Sequence, residues 1–174
     1  MIDFGSINYL KSGSPKQILA YKILKENRIM ELLSDFDPIL VGTIPINIDI
    51  ENSDLDIICF WEDKAEFVSK INKIFGSKKE FKIWQSNINE QEAVIASFVT
   101  DSFEIEIFGQ NVPTKEQNGY KHMIIEYQIL QEKGEDFRRE IINLKRNGFK
   151  TEPAFAELLG LEGNPYSELL NFKF

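Results

Sequence analysis

The sequence holds one cysteine, one histidine and no excess of basic residues, and each shortage removes a class of function. A single thiol, Cys59, forms no intrachain disulfide and supplies no cysteine metal cluster. Set inside the apolar run IICF, it reads as a buried side chain rather than a reactive one. With 20 Lys and Arg against 28 Asp and Glu, the formal net charge is −8. That balance argues against open, sequence-independent binding of nucleic acid phosphates unless the lysines cluster in space. No apolar run approaches the roughly 20 residues that span a bilayer. The stretch MIDFGSINYL has neither the basic n-region nor the hydrophobic h-region of a secretion signal. We therefore expect a cytoplasmic protein with no membrane partner.

What is present is a full complement of core formers, 43% hydrophobic residues with Phe counted 14 times, over 174 residues. That length and composition predict one compact unit. Ser14-Pro15 reads as an N-cap followed by proline at the first helical position, and apolar residues at helical spacing predict a helix over 15–34. Residues 39–41 restart as a strand running into Gly42, and residues 54–61 form a second strand, apolar after its acidic start, as a central buried strand reads. A crossover helix follows over 64–75, closed by Gly76 as its C′ glycine. Residues 81–86, 93–99 and 103–108 are three further strands, separated by turns at Asn87-Ile88-Asn89 and Thr100-Asp101-Ser102. From Pro113 onward the pattern is helical, over 114–133, 135–147, 152–160 and 165–172, punctuated by Gly134, Gly148 and Gly163-Asn164-Pro165. The expected fold class is α+β: a mixed sheet flanked by helices over residues 1–110, with a helical cap over 111–174.

The chemistry concentrates in VGTIPINIDIENSDLDIICF, residues 41–60. Side chains alternate along a strand, so Asp54 and Asp56 project from one face with Cα atoms roughly 7 Å apart, close enough to lean onto shared divalent cations. FEIEI, residues 103–107, repeats the arrangement with Glu104 and Glu106. If the two strands are neighbours, a third carboxylate reaches the same place, and oxygen ligands of this kind suit Mg²⁺. Taken alone, Glu104 and Glu106 read as the solvated face of an edge strand.

Gly42-Thr43, then ten residues, then Asp54-Leu55-Asp56-Ile57 resembles the signature of the nucleotidyltransferase superfamily, whose fold is that of DNA polymerase β. In that signature a Gly-Ser or Gly-Gly pair precedes an Asp-x-Asp strand, and a third acidic residue follows on a later strand. The whole chain, including GYKHMIIEYQIL, also resembles a small bacterial family grouped with that superfamily. The resemblance implies that Gly42 and Thr43 approach a triphosphate and that Asp54, Asp56 and a third carboxylate bind Mg²⁺, with Mn²⁺ as the alternative. Glu106 is the choice for that carboxylate, assisting deprotonation of an acceptor hydroxyl, and Glu104 is the alternative, placed beside the nucleotide. It further implies transfer of a nucleoside monophosphate from an NTP to a hydroxyl of a small-molecule or protein acceptor. Two departures stand out: Thr43 replaces the small second residue, and no arginine follows in IPINIDIENS to grip the triphosphate. A catalytically silent module of the same fold, binding a nucleotide or a protein partner through its helical cap, is the alternative.

Three further groups have two readings each. Asn118, His122 and Glu126 share one helical face; they either face the cleft, where Asn118 and His122 touch the nucleotide, or form a solvated polar stripe. Arg138, Arg139, Lys145 and Arg146 read as a helix surface balancing nearby glutamates rather than a nucleic-acid patch. Lys11-Ser12-Gly13-Ser14 reads as a helix cap rather than a phosphate loop.

Overall fold

A computed structural model describes residues 2–88 and 91–174 of the chain. Helix α1, Pro15–Glu26, begins at a capping box in which the Ser14 hydroxyl accepts from the Gln17 backbone and the Gln17 side chain accepts from the Ser14 N–H. The expected single helix over 15–34 breaks at Asn27 and Arg28. Arg28 takes a left-handed conformation (φ 53), and a short α2, Ile29–Leu32, sets off in a new direction before a 3-10 turn at Ser34–Phe36. The break lets Ile29 and Leu33 both reach the core.

Five strands form one sheet among the described residues: β1 (Ile39–Val41), β2 (Leu55–Phe60), β3 (Lys82–Ile88), β4 (Gln91–Val99) and β5 (Glu104–Gln110), in the order β1-β2-β5-β4-β3. Helix α3, Lys64–Phe75, carries the chain from β2 to the far edge. An antiparallel meander then walks back until β5 lies parallel to β2. β5 is therefore the middle strand, and the edge-strand reading of Glu104 and Glu106 is corrected; that pairing is non-local and leaves no mark in the strand's own pattern. Of the turn expected at residues 87–89, Asn87 and Ile88 belong to β3 instead, and Asn89 lies outside the described residues. Gly76 is right-handed (φ −58) rather than left-handed, because its N–H continues the helical pattern onto the Asn72 carbonyl at 2.9 Å.

Alternation in the central strands divides the core in two. Leu55, Ile57 and Cys59 of β2 and Ile105 and Ile107 of β5 pack with Phe67, Ile71 and Phe75 of α3 on one face. Each fully buried side chain of this size contributes roughly 1.5–3 kcal/mol. Phe75 stacks on Phe98 of β4 at 4.9 Å between centroids. The other face meets the C-terminal helices: α4 (Asn118–Arg146), α5 (Thr151–Leu159) and α6 (Pro165–Leu170). Ile39, Val41 and Ile58 join Met123, Ile129, Ile141 and Phe155 there. Helix α4 breaks at Gly134 (φ 81), where the sequence places a punctuation glycine. Among the described residues no helix is long and apolar enough to cross a membrane.

Gly109 of β5 makes the close approach of α3 possible. A Cβ there would lie 2.5 Å from Phe67 Cε1 and 2.9 Å from Trp61 Cδ1, both rings buried. Gly109→Ala is expected to lower unfolding free energy by about 1–3 kcal/mol through overpacking. Urea denaturation checks this, and an unchanged midpoint would mean that the rings move aside freely.

Candidate functional site

The face of the sheet toward the helical cap carries the acids. Register sets Asp56 of β2 directly opposite Glu106 of β5 and Leu55 opposite Ile105. Asp54, one residue before β2, and Glu104 share the Asp56 face by alternation. Asp54 and Glu104 are exposed, whereas Asp56 and Glu106 are partly buried. Burial pushes the Asp56 carboxyl up to about 7, helped next by the charges of Asp54 and Glu106 and opposed by Lys145. Burial also raises Glu106, with Asp54 and Glu104 adding to the effect. The structure thus brings four carboxylates into one electrostatic group.

Gly42 ends β1 with φ +82, and a Cβ on it would collide with Asp56 Oδ2. Two constraints therefore demand glycine here, the left-handed backbone and the approach to the carboxylate. Thr43 follows, its hydroxyl 3.3 Å from the Ser53 hydroxyl, and Ser53 Oγ accepts from the Ile50 N–H at 2.9 Å. The segment 44–51 is clamped through its carbonyls. Gln17 Nε2 donates to Ile44 and Pro45 at 2.8 and 3.1 Å, Lys145 Nζ donates to Ile48 at 2.8 Å, Arg138 donates to Ile46 and Asn47, and Lys16 to Ile50 and Glu51. Two of the four basic residues read as helix surface therefore hold this loop instead. Arg146 also reaches it, pairing with Glu51 at 2.8 Å, and Arg139 alone keeps to its own helix beside Asp136.

A cavity of about 710 Å³ opens between this rim and the cap. Gly42, Thr43, Asp56 and Glu106 line the sheet side, and Asn118, His122, Glu126 and Glu152 line the cap side. Gly119 places the first turn of α4 over Val41 and Ile58, where a Cβ would make ordinary contact with their methyl groups at 3.7 and 3.6 Å. The solvated-stripe reading of His122 and Glu126 is corrected, since they are 7% and 3% exposed. Burial lowers the His122 imidazole against the opposing charge of Glu152, and raises the Glu126 carboxyl well above its ordinary range. Glu152, two residues into α5, is among the cavity residues that the sequence pattern did not single out. Lys121, at the exposed margin, is the one lysine or arginine among the described lining residues. Asp54 and Glu104 stand outside the lining, at the solvent edge of the acidic group.

Residues 22–172 match the family described as "Domain of unknown function (DUF4269)", and the chain belongs to that family. No curated protein matches the sequence. Among solved structures the chain is similar to Cid1 poly(U) polymerase bound to MgGTP, with a TM-score of 0.55 and 11% identity over 76% of this chain and 42% of that one. It is also similar to the polymerase core of TRAMP, an RNA surveillance complex, with a TM-score of 0.53 and 16% identity over 94% and 50% of the two chains. A cytoplasmic RNA terminal U-transferase gives 0.50 and 12%, over 90% and 46%. At these identities the likeness is one of fold, the nucleotidyltransferase fold, and the chain spans about half the length of the solved polymerases it matches.

The raised Asp56 pKa fixes a sign for stability in metal-free protein. In the unfolded chain an aspartate ionises near pH 4, whereas Asp56 in the fold ionises near 7. Between these values the folded state keeps a proton that the unfolded state has lost, so the stabilisation is complete below about pH 4 and is lost as pH rises through about 7. Asp56→Asn, in chelator, is expected to gain on wild type from about pH 5 to about pH 8, reaching on the order of 2–4 kcal/mol. Denaturant titrations across that range check it, and a pH-independent difference would contradict it.

Proposed function

We propose that this chain is a nucleotidyltransferase that moves a nucleoside monophosphate from an NTP to a hydroxyl of a small-molecule or protein acceptor. The observation that carries the reading is the side-by-side placement of Asp56 and Glu106, with Gly42 against Asp56, at the mouth of a cavity large enough for a nucleotide. Residues 1–110 would form the catalytic core and residues 111–174 the cap that covers it. The fold likeness to nucleotide-polymerising enzymes, one of them bound to MgGTP, supports this reading.

The acidic group fits a divalent ion: its charge is compressed enough to hold a proton on Asp56 near neutrality, which a dication would displace. Asp54, Asp56 and Glu106 would hold Mg²⁺, or Mn²⁺ through the same oxygen donors. When bound, the ion supplies charge compensation at the attacking and leaving oxygens of an in-line displacement. Gly42 and Thr43 would approach the triphosphate from the end of β1, where Gly42 leaves room for the Asp56 carboxylate. Asn118 and His122 stand across the cavity toward the nucleotide, and Glu104 stands at its outer edge. Glu106, its pKa raised, takes the proton of the acceptor hydroxyl as the oxygen–phosphorus bond forms and pyrophosphate departs. Lys121 and the uncapped first turn of α4 provide positive potential for the phosphates in place of the missing arginine. A polynucleotide acceptor suits the chain poorly, because its net charge is −8.

One observation favours a second reading. Glu116, Glu126 and Glu152 share the lining with that single lysine, an acidic excess that suits a silent module of this fold that binds a nucleotide or a protein partner through its cap. Melting experiments separate the two. Wild type is expected to gain stability with Mg²⁺ and an NTP, by about 2.7 kcal/mol at one hundred times the dissociation constant. Asp56→Asn should gain far less and transfer no label from labelled NTP to an extract. Equal shifts in both proteins would place the ligand elsewhere, and a shift without label transfer would favour the silent module.

A further inference from the structure

On the cap wall, opposite the sheet carboxylates, His122, Glu126 and Glu152 each present one ligand atom, and all three atoms lie within 4.8 Å of one another. His122 and Glu126 are four apart on α4 and so share a face, and the turn through Gly148 folds α5 back so that Glu152 meets them. A bare cluster of this kind is costly. Glu126 is 97% buried by its 3% exposure, and it has no ion-pair partner within 4 Å among the described residues. Lys145, which also donates to the Ile48 carbonyl, tempers it at longer range. His122, also more than nine-tenths buried, has an Nδ1 with no hydrogen-bond partner, and its ring stands edge-on against Tyr166 of α6. A buried imidazole with an unpaired nitrogen, set in one cluster with a carboxylate that has no ion-pair partner, offers the donors of a cation site.

We infer that His122, Glu126 and Glu152 bind a first-row transition dication, represented here by Zn²⁺, on the cap wall of the cavity. The donor set decides the class. An imidazole with two carboxylates suits zinc, iron or manganese, whereas Mg²⁺ takes oxygen alone and keeps its waters. Ligand atoms around tetrahedral zinc sit about 3.3 Å apart, so closing from 4.8 Å requires side-chain rotations and no backbone rearrangement. Three protein ligands leave a coordination position open, and it faces the 710 Å³ cavity, where water or a donor atom of an acceptor would complete the shell. The inference stands apart from the transferase reading, since it requires neither NTP nor turnover.

The test is equilibrium dialysis of metal-stripped full-length protein against Zn²⁺, with Mg²⁺ in excess to occupy the sheet carboxylates, alongside Co²⁺ absorption as a report on ligand type. One Zn²⁺ per chain is expected. Affinity should fall at least about tenfold in Glu152→Gln and in His122→Asn, and stay unchanged in Asp56→Asn. Glu152 is half-buried near the start of its helix and Gln keeps its shape, so this variant reads the site even if His122→Asn folds poorly. Loss of binding in Asp56→Asn with retention in Glu152→Gln would move the ion to the sheet and overturn the inference. Absence of stoichiometric Zn²⁺ binding by folded wild type would overturn it as well.

Discussion

Asp56 and Glu106 occupy paired positions on the two parallel strands at the heart of the sheet, and the rest of the molecule is arranged around that repulsion. Two unit charges about 5 Å apart at an effective dielectric of 20 repel by roughly 3 kcal/mol. On the opposite face of the same strands Leu55, Ile57, Cys59, Ile105 and Ile107 are buried against α3. At roughly 1.5–3 kcal/mol for each large side chain, that burial outweighs the repulsion several-fold. The register cannot slip to separate the acids, because a one-residue shift would turn every apolar side chain of β2 or β5 to the wrong face. Burial is the larger cause of the raised pKa values of Asp56 and Glu106, and neighbouring acidic charges add to it, so protonation relieves both.

The loop between β1 and β2 meets a second constraint. Ile44, Ile46 and Ile48 are buried, so their backbone carbonyls leave water with them and need donors. Those donors come from both sides: Gln17 of α1 on one flank, Arg138 and Lys145 of α4 on the other. Hydrogen bonds from charged donors are among the stronger kinds. Lys145 meets a cost for this service, since burial brings its ammonium down to about 8 despite Glu126 and Asp49 nearby. The result is that the cap is tied to the segment that carries Gly42 and Thr43 into the cavity. Movement of α4 past its break at Gly134 would pull on that loop directly, so cap and rim are mechanically one unit.

The features written in local pattern were legible before any coordinates: the alternation in β2 and β5, the bounds of α3, the Ser14 cap, and the glycine breaks at 42 and 134. Each rests on one residue's own conformational needs or on a short period. Features set by long-range pairing were not. Nothing in EIEIF says that it becomes the middle strand, because that depends on a crossover to the far edge and a meander back. Arg28 breaks its helix without glycine or proline, and only the core positions of Ile29 and Leu33 explain why the chain turns there. Arg138 and Lys145 look like ordinary helix-surface cations until the loop carbonyls they satisfy are placed beside them. Glu152 joins His122 and Glu126 through the packing of α5 on α4, and no spacing rule links residues thirty apart. The one useful signal was weaker: a lone histidine four residues from a glutamate on one helical face.

The electrostatics of the cavity limit what can enter it. Asp56 and Glu106 form one acidic wall, Glu126 and Glu152 another, and Lys121 lies at the margin. A bare polyphosphate would be repelled from both walls, and at the low effective dielectric of a half-closed cavity that repulsion is poorly screened. A phosphate ligand therefore has to arrive with its charge already neutralised by a cation that the sheet carboxylates can share. On the opposite wall Glu126 is too deeply buried for solvent to compensate a charge on it, and burial accordingly raises its carboxyl well above the ordinary range. Under the proposed reading, two acidic walls facing one another would favour ligands that bring a cation. On the proposed reading, Lys121 and the first turn of α4 are the fixed positive groups that stand in for the arginine missing after Gly42-Thr43, and a cation that comes with the ligand would supply the rest.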